Sequence, residues 1–322
     1  MVFDLHLSVA PNTIPSTKSL FTGQAFLTRG HWKLAADGPE TLAEAFAGAG
    51  FRTGAFSGNG YISEAYGTAR GFEHLADEVV FRDYSGEDAY HDNAERVHRS
   101  ALAWLDGLDQ GERAFAYLHT TPPHTPYDPP TPVSERFTAA IDSDFEASTR
   151  NLLDIKHNRT EVTGADQERI SALYKAAIAY NDTELAQLLE ALDKRYKPGE
   201  VLLIVTSDHG EELFDHGGVL HGYTLYREQL EIPLILWWPG HLEPQQITAP
   251  TDNLDLHESL RMLVGAGASA ARDGRSFWGW LGSTDPTPAT YDLRFAAASS
   301  VQGGIFMAQS ERYKLIFAPR TA

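Results

Sequence analysis

Val201–Gly222 reads VLLIVTSDHGEELFDHGGVLHG. Apolar and β-branched residues run from Val201 to Thr206, straight into Asp208 and His209, and His216 and His221 follow. A short continuous apolar run that closes on polar residues suits a strand buried on both faces of a parallel sheet. Where a chain leaves a strand, alternation no longer forces neighbours to opposite faces, so Asp208 and His209 can both reach one metal ion. A carboxylate with an imidazole suits zinc or manganese, and magnesium or calcium less well. On the dipeptide alone, an Asp208 that caps loop amides beside a surface His209 is the better account. The surrounding sequence has to decide.

Two further segments read as buried parallel strands, RAFAYLHTT (Arg113–Thr121) and IPLILWWPG (Ile232–Gly240). Between the strands lie helical patterns. TLAEAFAGAGF ends on glycines, NAERVHRSALAWLDGL carries apolar residues three and four apart, and QERISALYKAAIAYNDTELAQLLEALDKRY is the longest. Alternating strands and helices predict an α/β domain, a mainly parallel sheet sandwiched by helices, with its chemistry at the carboxyl ends of the strands. FDLHLSV (Phe3–Val9) alternates, which predicts a strand with one wet face, and TTPPHTPYDPPTP is too rich in proline for helix or central strand. From Gly267 onward the strand-like pieces are shorter and weaker, which predicts a small C-terminal subdomain over residues 267–322.

With 322 residues, 42% hydrophobic and 22% charged, the composition fits a soluble globular protein of one large domain or one and a small one. No apolar run reaches the length of a bilayer span, and the first residues lack a signal-peptide layout. A formal charge of −18 argues against nucleic acid or an anionic membrane surface as the main partner, and also fits adaptation to high salt. An anionic substrate would need a local cationic site, and a bound metal is the obvious supplier. With no cysteine there is no disulfide, thiolate ligand or thiol nucleophile. No glycine-rich fingerprint follows a strand at the spacing of a dinucleotide site.

The extended pattern SDHGEELFDHGGVLHGYTLYREQLEIPLILWWPG resembles the signature of the sulfatase-like branch of the alkaline phosphatase superfamily. The resemblance implies that Asp208 and His209 bind the catalytic metal and that His221 takes the place of the basic residue that meets the substrate oxyanion. The resemblance fixes no counterpart for His216, which is left open between a structural role and one in the site. SVAPNTIPSTKSLFTG (Ser8–Gly23) is similar to the nucleophile segment of that branch and, aligned on Pro15, Ser16 and Thr22-Gly23, places Thr13 at the nucleophile position. Pro15 suits a helix's first turn, and an amide-rich N-terminus attracts an anionic group. The alternative for Thr13 is a helix N-cap. YLHTTPPHTPYDPP resembles the family's histidine-proline loop, with His124 facing the scissile ester and His119 as the alternative. TLAEAFAGAGFRTGAFSGN, DGRSFWGWLG and RYKLIF also read like family sequence, so the resemblance covers nearly the whole chain.

The departures matter as much. Sulfatases of that branch use a formylglycine made from cysteine or serine, whose hydrate expels sulfate by collapsing to the aldehyde. A threonine ester lacks that exit, so Thr13 points toward phosphoryl chemistry. Thr17, next to Lys18, replaces the arginine expected after the proline-serine pair, and AFSGNGY stands where a lysine-histidine pair is expected, with Asn59 a weak substitute. Family members open with a central strand that ends in metal-binding acids. A strand and its crossover take about thirty residues, whereas only twelve precede Thr13, and Asp4 is no obvious replacement. Asp208, His209 and Thr13 offer three ligands where zinc normally takes four.

The resemblance therefore implies a catalytic domain over residues 1–266 without its first strand. A sheet lacking a central strand exposes unpaired backbone, so the chain is expected to be poorly stable or to fill the gap by another pairing. The expected activity is metal-dependent hydrolysis or transfer of phosphate or sulfate esters, phosphoesters favoured, on an anionic small molecule or headgroup. The alternative is an inactive member that serves as a binding or scaffolding protein.

Overall fold

The computed structural model describes residues 1–25, 33–76, 93–267, 272–280, 293–300 and 303–318. Two short strands, β1 (Val2–Phe3) and β2 (His6–Leu7), lead into helix α1 (Thr13–Thr22). Helix α2 (Leu42–Gly48) and strands β3 (Phe51–Ser57) and β4 (His74–Ala76) follow, then α3 (Asn93–Asp106) and β5 (Arg113–His119). Helices α4 (Thr131–Thr138) and α5 (Thr149–Lys156) precede the long α6 (Gly164–Arg195). Strand β6 (Leu203–Thr206) is followed by β7 (Glu212–Leu213), β8 (Val219–Leu220), the single turn α7 (Arg227–Leu230), β9 (Glu231–Ile232) and β10 (Leu234–Trp237). Strands β11 (Gln246–Ile247) and β12 (Thr251–Asp252) lead to α8 (Asn253–Leu263), and β13 (Arg294–Ser300), β14 (Gly303–Gln309) and β15 (Lys314–Phe317) make an antiparallel sheet.

Local chemistry sets these boundaries. Helix α1 starts after an extended Asn12, carries Pro15 in its first turn, and stops at Gly23, whose φ of 67° lets its amide bond back to Ser19 O. Capping boxes open α2 (Thr41 with Glu44), α6 (Thr163 with Asp166) and α8 (Asp252 with Asp255). In α3, Ala94, Val97, His98, Ala101 and Leu105 form one buried stripe at helical spacing.

Strands β4, β3 and β5 are all parallel, with β3 central. A second sheet runs β11–β1–β10–β6 and a third β12–β2–β9. One core joins β1 and β10 to α1, α2 and α8 through Phe3, Phe21, Phe46, Leu234, Leu236 and Leu256. On the other face, α3 and α6 pack through Leu105, Leu188 and Leu192. This is the expected α/β sandwich, with strands between helical layers.

Two expectations change. Ile232–Gly240 does not supply a parallel strand: β10 is antiparallel to both β6 and β1, because the link from β6 returns through the loop of the site and has no crossover helix. Phe3–Val9 is two strands in different sheets, and its predicted wet face is absent at His6, which is buried between Thr251 and Asn253. The C-terminal sheet shares a core with the rest, since Ala296, Ala298 and Met307 pack with Leu7, Leu225 and Leu230. Among the described residues β5 pairs only with β3, and β6 only with β10.

Candidate active site

Asp208 leaves the end of β6 in a turn fixed from several sides. The hydroxyls of Ser8 and Ser16 both donate to its carbonyl at 2.5 Å. The His209 amide donates to Asp208 Oδ1 at 2.9 Å, and Ser207 Oγ donates to His209 O at 2.7 Å. Gly210 lies so close to the 228–229 backbone that a Cβ there would stand 2.0 Å from Glu228 O. The hydroxyl of Ser16 also accepts from Asn253 Nδ2 at 3.2 Å, which ties α1 to the start of α8.

Thr13 is the first residue of α1, and the N-cap position falls on Asn12, so Thr13 is not the cap. Its hydroxyl lies 3.4 Å from His209 Nε2 across 196 positions of sequence. His209 Nδ1 donates to Gly210 O at 2.9 Å, which leaves the Nε2 lone pair turned toward Thr13. Burial lowers the His209 pKa against the opposing pull of Asp208. Asp208 Oδ2 is buried, 3.5 Å from His209 Nε2, and has no hydrogen-bond partner among the described residues. Burial alone would raise the Asp208 pKa, but His209 and His119 outweigh it and hold it at about 2. Three donor atoms thus converge, one of them an orphaned carboxylate oxygen. That donor chemistry fits a divalent cation, although no group of three or more His, Asp or Glu side chains forms a cation site among the described residues.

The predicted histidines gather beside this point. The His221 ring is centred 4.1 Å from His209 and 5.1 Å from His124. His124 Nδ1 donates to Thr125 O at 2.7 Å, and burial, with His221 next in weight, lowers its pKa to about 4. His119 closes β5 in a hydrogen bond of 2.8 Å with the Tyr117 hydroxyl, and Asp208 acts on it electrostatically. His216 stands apart, half exposed and stacked on Tyr226 at 3.8 Å. Asn59 turns its Oδ1 back to accept from Tyr61 N and organises its own loop.

Two functional candidates escaped the sequence reading. Glu211 Oε1 and His221 Nδ1 share a hydrogen bond of 2.9 Å, and burial pushes the Glu211 carboxyl up to about 7. Lys156, at the end of α5, donates to His221 O at 3.1 Å and lies over the Tyr223 ring. A second acid directly after Asp-His-Gly was the available signal for Glu211. Lys156 sits on a different element and carried none.

The profile of the family described as Sulfatase matches residues 1–266. Among curated proteins the chain is 26% identical over 163 residues to choline-sulfatase of Rhizobium meliloti (strain 1021), covering 50% of this chain and 31% of that protein. It is 28% identical over 220 residues to the multifunctional alkaline phosphatase superfamily protein PehA of Trinickia caryophylli, covering 61% and 42%. The chain spans less than half the length of each of these relatives. Among solved structures, a phosphonate monoester hydrolase from Silicibacter pomeroyi superposes with a TM-score of 0.74 at 20% identity, over 98% of this chain and 79% of that one. A protein solved with its substrate D-glucosamine-2-N,6-O-disulfate superposes with a TM-score of 0.79 at 16% identity, over 98% and 81%. At such identities the superpositions speak for the fold.

Proposed function

Because the chain belongs to the sulfatase family, itself a group of ester hydrolases, we propose that it is a metal-dependent phosphoester hydrolase or phosphotransferase with Thr13 as nucleophile. The observation that carries this reading is the approach of the Thr13 hydroxyl to His209 Nε2 beside the orphaned Asp208 Oδ2. Asp208, His209 and Thr13 would hold the cation, zinc or manganese by donor type. When bound, such an ion favours the alkoxide of a coordinated hydroxyl near neutral pH.

The remaining steps belong to the chain. Thr13 Oγ1 gives its proton to solvent and attacks phosphorus in line, the bond from phosphorus to the ester oxygen breaks, the departing alkoxide takes a proton from water, and a phosphothreonine forms. Water or an acceptor alcohol then takes the phosphoryl group and restores the hydroxyl. His124 and His221 face the equatorial oxygens and stabilise them electrostatically once the bound anion has drawn a second proton onto each ring, with Lys156 adding positive charge behind them. Glu211 fixes the orientation of His221. The substrate class is an anionic small-molecule or headgroup ester, and phosphate is preferred to sulfate because a threonine ester has no aldehyde to collapse to.

The test is turnover of a phosphomonoester, a phosphodiester and a sulfate ester with added zinc or manganese, comparing wild type with Thr13→Ala. Phosphoester turnover falls by roughly 1000-fold in the variant. Undiminished turnover would remove Thr13 from its role, and a faster sulfate ester would reverse the preference. A second reading, an inactive binding member, is favoured by the count of three donors against the usual four for zinc. It predicts that none of the three esters turns over with either metal.

A further inference from the structure

Asn12 stands directly before the proposed nucleophile, and the fold leaves its side chain unused. It holds the N-cap position of α1 in extended backbone, and its carbonyl accepts from Ser16 N at 3.3 Å. Asparagine is among the best residues for capping a helix, because its side-chain oxygen can accept from the amides of the first turn. Here that bond is not made. Among the described residues, the enclosed Oδ1 has no hydrogen-bond partner, and Nδ2 bonds to none of them. An enclosed polar atom left unpaired is costly, and a residue that forgoes its cap as well calls for another use.

The side chain closes a ring of contacts around the point of attack. Thr13 Oγ1 lies 3.4 Å from His209 Nε2, and the His209 and His221 rings are centred 4.1 Å apart. Gly222 follows His221, and a Cβ there would stand 3.8 Å from Asn12 Cβ and 4.0 Å from Asn12 Nδ2. One peptide bond then leads from Asn12 back to Thr13. The amide thus borders the space between Thr13 and His221. It is not needed to hold the turn, since Gly222 N donates to Gln229 Oε1 at 3.0 Å and Lys156 Nζ to His221 O at 3.1 Å. Two positions where the resemblance sets basic residues hold side chains turned elsewhere. Thr17 Oγ1 donates to Thr13 O at 2.7 Å, and Asn59 Oδ1 accepts from Tyr61 N at 3.0 Å.

We infer that Asn12 is a further catalytic residue, whose Nδ2 donates a hydrogen bond to one equatorial oxygen of the phosphoryl group as Thr13 attacks. The inference rests on the reading of Thr13 as nucleophile. A carboxamide suits this place because it is a fixed donor of no net charge. It stabilises the oxygens where charge gathers and leaves the negative charge on the attacking oxygen unpaired by a cation. Its donor is held in place before the reaction, so the bond is strongest when the oxygens spread into the equatorial plane.

The experiment pairs thermal melts with steady-state kinetics on a phosphomonoester and a phosphodiester, with zinc or manganese, for Asn12→Ser and Asn12→Asp. Serine and aspartate are good caps, so both variants melt at or above the wild-type temperature. Their kcat falls all the same, by roughly 100-fold in Asn12→Ser, with KM little changed. Asn12→Asp loses more, because a carboxylate repels the oxygens. A purely structural Asn12 gives the opposite, activity kept wherever stability is kept, and wild-type kcat in Asn12→Ser would overturn the proposal. Thr13→Ala, measured beside them, separates the two readings. Full turnover in Thr13→Ala removes the nucleophile and this proposal with it, whereas a dead Thr13→Ala beside a fully active Asn12→Ser removes Asn12 alone. Should no ester turn over, calorimetric titration of the same proteins with orthovanadate, which adopts the five-coordinate shape of the group in transfer, decides the matter. Its affinity falls by about tenfold or more in Asn12→Ser, and equal or absent binding in both proteins would overturn the proposal.

Discussion

Thr13, Asp208, His209, His124 and His221 could be named from sequence only through the resemblance of their segments to the sulfatase-like branch, since local pattern alone left each with a plain structural account. Glu211 and Lys156 could not be assigned, since their significance comes from burial beside His221 and from a helix end folded against it. Replacing Glu211 tests this directly. Glu211→Ala frees the His221 ring and lowers kcat/KM roughly tenfold to hundredfold. Glu211→Gln loses less, because an amide oxygen still accepts from Nδ1, and steady-state kinetics separates the two. His6 makes a different prediction. It is wholly buried between Thr251 and Asn253, and burial lowers its pKa from 6.5 to about 4. The unfolded chain takes up the proton first as pH falls, so this stability is present above pH 6.5 and lost toward pH 4. Its share of the loss between about pH 7 and pH 5 is roughly 2 kcal/mol. Denaturant melts should show the slope in the wild type and a shallower one in His6→Gln.

Among the elements, the long helices and the three apolar strands were legible from periodicity and run length. Strand direction was not. The parallel reading of Ile232–Gly240 failed because an apolar run says how buried a strand is and nothing about which way its neighbours run. Phe3–Val9 failed because alternation over so few residues cannot distinguish one strand from two that change sheets at Asp4 and Leu5. The turn after β6 is the element on which the site depends, and Gly210 is its tightest point. Gly210→Ala must push the 228–229 backbone away or drag His209 with it. The expected cost is about 2 kcal/mol or more in a denaturant melt, with activity lost in the fraction that stays folded.

At the scale of the whole molecule, a charge of −18 acts on both stability and encounter. Screening relieves the self-repulsion of the folded state, so raising salt from about 0.1 M to about 1 M raises the melting temperature. For an anionic ester kcat/KM rises over the same range, since the acidic surface opposes its approach, and a rate that falls with salt would contradict this. No helix among the described residues is long and apolar enough to cross a membrane. The C-terminal sheet was legible only as weak strands, while its attachment was not. Arg294 on β13 donates to Asp252 Oδ2 at 3.0 Å, to Asp255 Oδ2 at 2.5 Å and to Pro250 O at 2.8 Å. Those acids open α8, whose Asn253 holds Ser16 in the nucleophile helix, and Ala297 N donates to Val9 O just ahead of it. The tail thus works as a keystone for the head. Trimming it away would strand two interior carboxylates without their counter-ion and slacken the grip on Thr13 from the other end of the sequence.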